Sequence, residues 1–178
     1  MTGKAIALAL IAVTASTALL ANSIEYPPDN AEFFLQLSGD FKTKTNPDGS
    51  LIGIGPKMVI ALSAMSGVKD ATAAKARLPE LTRSLFTKTL LFQELQVQGI
   101  ADGKIAREGG DGFAVKVLTA MGKNSDGRSV TITATAFSSE QGHYFVFITA
   151  ARPDDKEEAD KTGREILATM TTATNEED

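Results

Sequence analysis

The stretch SSEQGHYFVFITAARPDDKEEADKTGREIL, residues 138–167, decides the fold class. Its centre, YFVFI at 144–148, is apolar at every position, so both faces of an extended segment are apolar. A strand of this kind is typical of the middle of a sheet that is covered on both sides. Pro153 then separates this strand from a charged segment. We therefore predict a central β-strand over 144–148, with other elements packed on both of its faces.

The charged segment after Pro153 has the pattern of an amphipathic helix. Asp154 or Asp155 stands where an N-cap residue is expected, and a glutamate follows each of them three residues later. The predicted apolar face consists of Ala159, Gly163, Ile166, Leu167 and Met170. Two ion pairs four residues apart are predicted on the solvent side, Glu157 with Lys161 and Asp160 with Arg164. The acidic run is therefore predicted to cap and solvate a helix rather than to bind a metal or a basic partner.

Asp-Gly pairs divide the preceding part of the chain, at positions 48–49, 102–103, 111–112 and 126–127. Glycine adopts positive φ freely and Asp tolerates it, so this dipeptide favours two-residue hairpin turns. We predict hairpin turns at 48–49, 102–103 and 126–127, and a bend or bulge in GGDG at 109–112. Calcium binding is the alternative for NPDGS and NSDGR, but neither has the spaced carboxylates and terminal Glu of a calcium loop.

Further strands and one more helix complete the predicted fold. Lys57–Met65 and Phe113–Leu118 favour strands, and VTITATAF at 130–137 alternates between a buried and a wetter face. If this last strand lay at an edge, it would be able to pair with a second copy. Residues 70–91 form a helical pattern in which Pro79 is predicted to cause a kink or to start a fresh helix.

The order of these elements predicts an α+β fold, with an antiparallel β-sheet flanked by helices. Strands that follow one another without intervening helices disfavour a doubly wound parallel sheet. The 178 residues suffice for one domain with its own core. We predict a linker over 22–34, because it contains Pro27, Pro28 and an Asp-Asn pair. A single domain over 35–172 and a frayed tail over 173–178 follow.

The N-terminus has the pattern of a secretory signal peptide over residues 1–21. Lys4 precedes an apolar run from Ala5 to Val13, and small residues follow, with cleavage expected near Ala18 to Ala21. The alternative is an uncleaved anchor, although polar residues at 14, 16 and 17 leave a stretch at the short limit for a spanning helix. We therefore expect a periplasmic or secreted protein that is not an integral membrane protein once the signal is removed.

Composition argues against several classes of function. The formal net charge of -4 and the lack of Trp disfavour nucleic-acid binding. The chain has no Cys, which excludes disulfides, thiol catalysis and thiolate metal sites. With a single histidine, a zinc site would need carboxylates or a second chain. We predict no metal and no cofactor.

No catalytic motif emerges from the sequence. His143 is a candidate member of a Ser-His-Asp array, but no G-x-S-x-G motif occurs and EQGHYF is the pattern of an ordinary strand edge. GIGP at 53–56 and GGDG at 109–112 do not open a helix with a Lys-Ser or Lys-Thr pair, which disfavours a phosphate loop. We therefore identify no catalytic, cofactor-binding or metal-binding residue and expect a protein that is not an enzyme.

The region from about Leu35 to Thr172 resembles PsbP-like (Mog-type) domains. The resemblance lies in Asp102-Gly103, Gly112, the run from Tyr144 to Ala151 with Pro153, and the helix end at 166–170. It implies an antiparallel sheet sandwiched by helices, usually without catalysis. Such domains include extrinsic photosystem subunits, a nuclear Ran-binding factor and exported bacterial proteins of unknown role. The chain is most similar to the exported bacterial members, and no functional residue carries over.

Three functions are consistent with these observations. The first is an exported, non-enzymatic domain that binds a protein or cell-envelope partner. The alternative is a periplasmic small-ligand carrier or enzyme with a pocket between sheet and helix, near His143 or the Asp-Gly turns. The third is a structural envelope protein without a tight ligand. The sequence does not fix the oligomeric state.

Overall fold

A computed structural model of the chain describes residues 22–38, 40–107 and 110–173. The strands are β1 (Asn22–Tyr26), β2 (Phe33–Leu37), β3 (Lys42–Thr45), β4 (Leu51–Ile54), β5 (Met58–Ala64), β6 (Gln93–Arg107), β7 (Gly110–Lys123), β8 (Ser129–Ser138), β9 (Tyr144–Ala151) and β10 (Thr171–Thr172). The helices are α1 (Ala71–Ser84), which continues as a π-helical segment over Leu85–Thr89, and α2 (Lys156–Ala168), which a short 3₁₀ turn over Pro153–Asp155 precedes. The predicted signal peptide over 1–21 and residues 174–178 of the predicted tail lie outside the described residues.

The strands form two antiparallel sheets, which confirms the predicted α+β class. The larger sheet has the order β3-β4-β5-β9-β8-β7-β6, and the smaller has the order β1-β2-β10. β9 lies between β5 and β8, and seven of its eight residues are buried. The central strand predicted from YFVFI is therefore confirmed. β8 is paired on both sides, so VTITATAF is not at an edge and does not offer a dimer contact.

Helices cover both faces of the larger sheet because β9 presents apolar side chains alternately to each. Phe145 and Phe147 point into a core under α2 and the smaller sheet. Val146 and Ile148 point into a second core under α1. This arrangement is the predicted sandwich.

The prediction of a linker over 22–34 is wrong. β1 pairs with β2 in register, and the Pro-Pro-Asp-Asn run lies in the loop that joins them. Tyr26 is only 2% exposed, and its hydroxyl oxygen lies 3.0 Å from the carbonyl oxygen of Gly49 and 3.3 Å from that of Leu62, so its single proton has two acceptors within reach. Burial raises the pKa of the Tyr26 phenol to about 12. The domain therefore begins by residue 22, because the prolines reverse the chain between two strands instead of keeping it extended.

The predicted tail also begins too early. Ala173 is buried, and its backbone N–H donates to the carbonyl of Glu32 at 3.0 Å. This contact continues the pairing of β10 with β2 and ties the end of the domain to its start.

Two of the three predicted Asp-Gly hairpin turns are confirmed, those at 48–49 and 126–127. Gly49 and Gly127 have φ values of 79° and 76°, which suit glycine. The prediction for 102–103 is wrong, because Asp102 and Gly103 lie inside β6, opposite Lys116 and Val115 of β7. Lys116 Nζ lies 2.9 Å from the carboxylate of Asp102, so the aspartate is stabilised by a cross-strand ion pair.

The helix pattern is confirmed, but its polar details differ. Pro79 lies inside one continuous α1, so it does not start a fresh helix. Asp155 is the N-cap residue of α2 without a capping hydrogen bond, because its carboxylate accepts from Arg152 Nε at 2.9 Å. The predicted ion pairs of α2 do not form. The pairs that do form are Lys156 with Asp160 and Lys161 with Glu165.

Candidate functional site

His143 contacts a buried carboxylate from the segment that was predicted to be a linker. Its Nδ1 lies 2.7 Å from Glu32 Oε1, and Ser139 Oγ donates to Glu32 Oε2 at 2.5 Å. The Glu32 side chain is 6% exposed, whereas that of His143 is 66% exposed. The carboxylate joins the β8–β9 loop to β2 through two polar contacts.

This arrangement differs from that of a serine hydrolase. Such an enzyme needs the serine hydroxyl against the imidazole, with the acid on the far side of the ring. Here Glu32 lies between Ser139 and His143: it accepts from the serine hydroxyl, and its other carboxylate oxygen contacts Nδ1 of the ring. The sequence did not point to Glu32 because this residue falls in the predicted linker, four residues after Pro28. It does directly precede the alternating run of β2. Within the described residues, no three His, Cys, Asp or Glu side chains are grouped to hold a metal ion.

In the Asp-Gly turns at 48–49 and 126–127, side-chain oxygens accept hydrogen bonds from groups of the same turn. Asp48 Oδ1 accepts from the Ser50 hydroxyl at 2.6 Å and from the Ser50 amide at 3.0 Å. These hydrogen bonds hold the pKa of Asp48 below its usual value. Asn124 Oδ1 accepts from the amides of Asp126 and Arg128 in the same way. Both loops therefore have the contacts of turns rather than of calcium sites.

A cleft of about 220 Å³ lies between α2 and the sheet. The alternative function predicted from the sequence, a small-ligand carrier or enzyme, expects a pocket between sheet and helix. Its apolar wall is formed by Ile105, Val115, Val117, Phe147 and Leu167. Threonines from β8 and β9 line it too, at positions 133, 135 and 149, and α2 contributes Asp160, Gly163 and Arg164. Neither His143 nor the turns at 48–49 and 126–127 line this cleft, whereas Gly103 does.

Some polar groups of the cleft form hydrogen bonds or ion pairs within the protein, and others do not. Thr133 donates to Asp160 Oδ1 at 2.6 Å, and Lys156 pairs with the other carboxylate oxygen. The Thr149 hydroxyl lies 3.5 Å from the carbonyl of Thr133, a long distance for an O–H···O bond. Because Asp160 pairs with Lys156, the neighbouring Arg164 forms no ion pair with any residue that the structure describes.

Two glycines set the dimensions of this cleft. A Cβ on Gly163 would lie 2.7 Å from Thr149 Cγ2, so the absence of a side chain lets α2 approach β9 closely. A Cβ on Gly103 of β6 would lie 3.2 Å from Val115 Cγ2, and both residues line the cleft. A larger residue at either position would change the space between helix and sheet.

The outer strand β6 is a second candidate site. It forms one edge of the larger sheet, and eleven of its 15 residues are exposed. The opposite edge, β3, has only four residues, KTKT, and such short, lysine-bearing strands resist pairing with other chains. β6 has three register shifts, but Gly99–Ile105 pairs with β7 without interruption. This seven-residue stretch has the length of a typical strand and an open outer side.

An apolar surface adjoins the start of β6, and we call it the Leu91 patch. Leu91 is 68% exposed and Val97 39% exposed. Partly buried neighbours on the α1 side complete the patch, namely Leu90, Phe92, Leu95 and Ile100. Leu91 has φ of 57°, a left-handed conformation that is unusual for a leucine. The flanking amides of Leu90 and Phe92 donate to Leu85 and Phe86 carbonyls at 2.9 and 2.8 Å, so the turn is fixed on both sides.

The helix beside the patch is basic. Residues 71–89 contain four basic side chains and one acidic side chain. Lys75 and Arg77 pair with Asp102 and Glu80, each at 3.6 Å. Within residues 22–38, 40–107 and 110–173, the remaining two, Arg83 and Lys88, form no ion pair. The helical segment that leads into the patch therefore carries two positive charges that are uncompensated within the described residues.

Comparison with known proteins bears on the fold alone. No family model matches the chain, and no curated protein matches its sequence. The solution structure of cyanobacterial PsbP (CyanoP) from Synechocystis sp. PCC 6803 is similar with a TM-score of 0.56 at 8% identity, over 89% of this chain and 96% of that one. The chain has the PsbP/Mog-like fold. The resemblance predicted from the sequence is thus confirmed at the level of fold.

Two further structures align with the chain. The Ran-binding protein Mog1p of Saccharomyces cerevisiae has a TM-score of 0.45 at 11% identity, over 85% of this chain and 95% of that one. LpqN, involved in cell envelope biogenesis of Mycobacterium tuberculosis, has a TM-score of 0.40 at 12% identity, over 86% of this chain and 91% of that one.

In the part of the chain that the structure covers, neither helix has the length and apolarity needed to cross a bilayer.

Proposed function

We propose that the protein is an exported, non-enzymatic domain that binds a protein partner along β6. One observation carries the proposal: a 15-residue edge strand, exposed at eleven positions, begins beside a leucine that is held in solvent in a left-handed conformation. Residues held in unfavourable backbone conformations concentrate at functional sites. A partner strand added to the Gly99–Ile105 stretch gains main-chain hydrogen bonds, and the Leu91 patch receives apolar side chains.

The charge around the patch defines the chemistry of the partner. Arg83 and Lys88 attract carboxylates, and their long-range attraction accelerates the encounter. An extended segment that alternates apolar and acidic residues satisfies both the strand edge and these cations. An anionic membrane surface would use the same charge, but it would leave the open hydrogen-bonding groups of β6 without partners.

Export and the absence of catalysis are parts of the same proposal. The N-terminal pattern over residues 1–21 supports export, and a chain without Cys is insensitive to an oxidising compartment. The position of Glu32 between Ser139 and His143 supports a structural role for the histidine rather than a catalytic one.

The test is capture of partners from the native host with the full chain, tagged at its C-terminus, followed by the intact mass of the bait. We expect a bait shortened by the residues up to Ala18 or Ala21, together with one stoichiometric protein. Leu91→Gly and Ala101→Pro should each abolish capture, because they remove the apolar anchor and a backbone donor of β6. Thr43→Pro, the matched change on the opposite edge, should not.

Three outcomes contradict the proposal. The first is a full-length bait in the membrane, which would overturn export. The second is capture that survives both β6 substitutions in variants whose melting curves show a folded domain. The third is sedimentation with anionic vesicles, lost in Leu91→Gly, without any protein partner. If Ala101→Pro does not fold, Leu91→Gly alone decides, because Leu91 is mostly exposed.

A small-ligand carrier is the second candidate function. The cleft under α2 favours it, because a pocket with apolar walls and a few polar groups is the usual form of a ligand site.

A further inference from the structure

The cleft under α2 is large enough for a small organic molecule. Its volume is about 220 Å³, whereas an apolar cavity of about 150 Å³ is known to bind benzene. Four aliphatic side chains and one aromatic side chain line its walls, which favours an apolar body. The size therefore points to a ligand slightly larger than a benzene ring.

The polar groups of the cleft point to a negative charge on that ligand. Arg164 and Lys104 line the cleft, and neither forms an ion pair within the described residues. Lys156 pairs with Asp160 in place of Arg164. Asp160 is already held by Thr133 and Lys156, so its charge is compensated. A guanidinium binds a carboxylate through two parallel hydrogen bonds and carries no acceptor of its own.

Threonine hydroxyls add two further hydrogen-bonding groups. Thr135 and Thr149 line the cleft and are 7% and 4% exposed. The closest acceptor of Thr149 is 3.5 Å away, and no side-chain hydrogen bond of normal length engages it within the described part of the chain. The Thr149 hydroxyl is therefore available to a bound molecule.

The glycine in the edge strand keeps the cleft open. Gly103 lines it, and a Cβ there would meet Val115 Cγ2 at 3.2 Å and Val117 Cγ2 at 3.5 Å. A β-branched side chain at this position would occupy the space beside these valines.

We infer that this cleft binds a small monocarboxylate with a compact apolar body, about the size of benzoate. Arg164 holds the carboxylate, the apolar body lies against Ile105, Val117 and Phe147, and the threonine hydroxyls contact its polar edge. The cleft lies on the α2 side of the sheet and is lined in part by Gly103 and Ile105 of β6, whereas the proposed protein partner binds the outer edge of that strand and the α1 side.

The test uses the full chain and calorimetric titration with acetate, 3-methylbutanoate, benzoate and neutral benzyl alcohol. We expect saturable 1:1 binding of benzoate or 3-methylbutanoate with a Kd of about 1 mM or below, and at least tenfold weaker binding of acetate and benzyl alcohol. Arg164→Gln should weaken binding at least tenfold, since a charge-assisted contact is lost. Arg77→Gln removes a guanidinium on the other face and should have no effect.

A second variant and a second measurement locate the site. Gly103→Val should abolish binding while the melting temperature shows that the domain folds. Amide chemical shifts of Thr135, Thr149 and Arg164 should move with benzoate in the wild-type chain. The inference is wrong if none of the acids saturates up to about 10 mM, or if binding is the same in Arg164→Gln and Arg77→Gln. Arg164→Gln leaves β6 unchanged, so partner capture by this variant distinguishes failure here from failure of the proposed function.

Discussion

Replacement of Gly163 by alanine is expected to destabilise the domain, although alanine is the better helix former. In a helix interior, alanine is favoured over glycine by about 1 kcal/mol. The new Cβ would lie 2.7 Å from Thr149 Cγ2, whereas unstrained carbon contacts are about 3.5 to 4.0 Å. Overpacking of this kind costs about 1–3 kcal/mol, so the net loss should be about 1 kcal/mol.

A second substitution separates the two effects. Thr149→Ser removes the methyl group and keeps the hydroxyl, at a cost of about 1 kcal/mol for a buried methyl. In that background Gly163→Ala should stabilise by about 1 kcal/mol, which gives a coupling energy of about 2 kcal/mol between the two sites. Thr135→Ser is the matched control, because Thr135 is not among the atoms nearest to the new Cβ.

Urea denaturation of the single and double variants, followed by circular dichroism, measures these free energies of unfolding. The reasoning is refuted if Gly163→Ala stabilises the wild-type chain by about 1 kcal/mol, since α2 would then not lie against β9 at this position. Additivity with Thr149→Ser would refute it as well.

Three further outcomes are expected. Leu91→Gly should change the free energy of unfolding by less than about 1 kcal/mol. Relief of the left-handed conformation offsets the backbone entropy of glycine and the loss of a partly buried side chain. A loss above about 2 kcal/mol in a urea titration would assign Leu91 to the core. The free energy of unfolding should fall as pH rises from about 10 to about 12, because the pKa of Tyr26 is higher in the folded than in the unfolded state and only the unfolded state loses this proton readily. Tyr26→Phe should remove that part of the decline. An identical decline in both chains would contradict this role of Tyr26. Gly122→Ala should lower the free energy of unfolding by at least about 2 kcal/mol, because its Cβ would overlap the ring of Phe86. An unchanged melting temperature would contradict that contact.

The parts of the fold that were predictable from sequence are those with strong local periodicity. The continuous apolar run of β9 and the apolar stripe of α2 identify a central strand and a covering helix without knowledge of their partners. β1 has no such pattern, and its pairing with β2 depends on contacts between separate segments. Asp102-Gly103 has the composition of a turn, yet the long partner strand β7 keeps it extended.

The candidate sites were less predictable because they depend on which of several possible contacts form. Asp160 has a basic residue four positions away on each side. Only the structure shows that Lys156 is its partner and that Arg164 forms no ion pair with the residues described. Glu32 and His143 are 111 residues apart in sequence and meet only through folding. The exposure of β6 follows from the strand order, which no local pattern fixes.

Amide hydrogen exchange of the purified complex tests the central claim most directly. The captured partner and the bait would be exchanged together and compared with the bait alone. The proposal predicts new protection of amides in Gly99–Ile105 and around Leu91, with exchange at β3 unchanged. Protection confined to α2 or to β3, with β6 exchanging as fast as in the free domain, would contradict it.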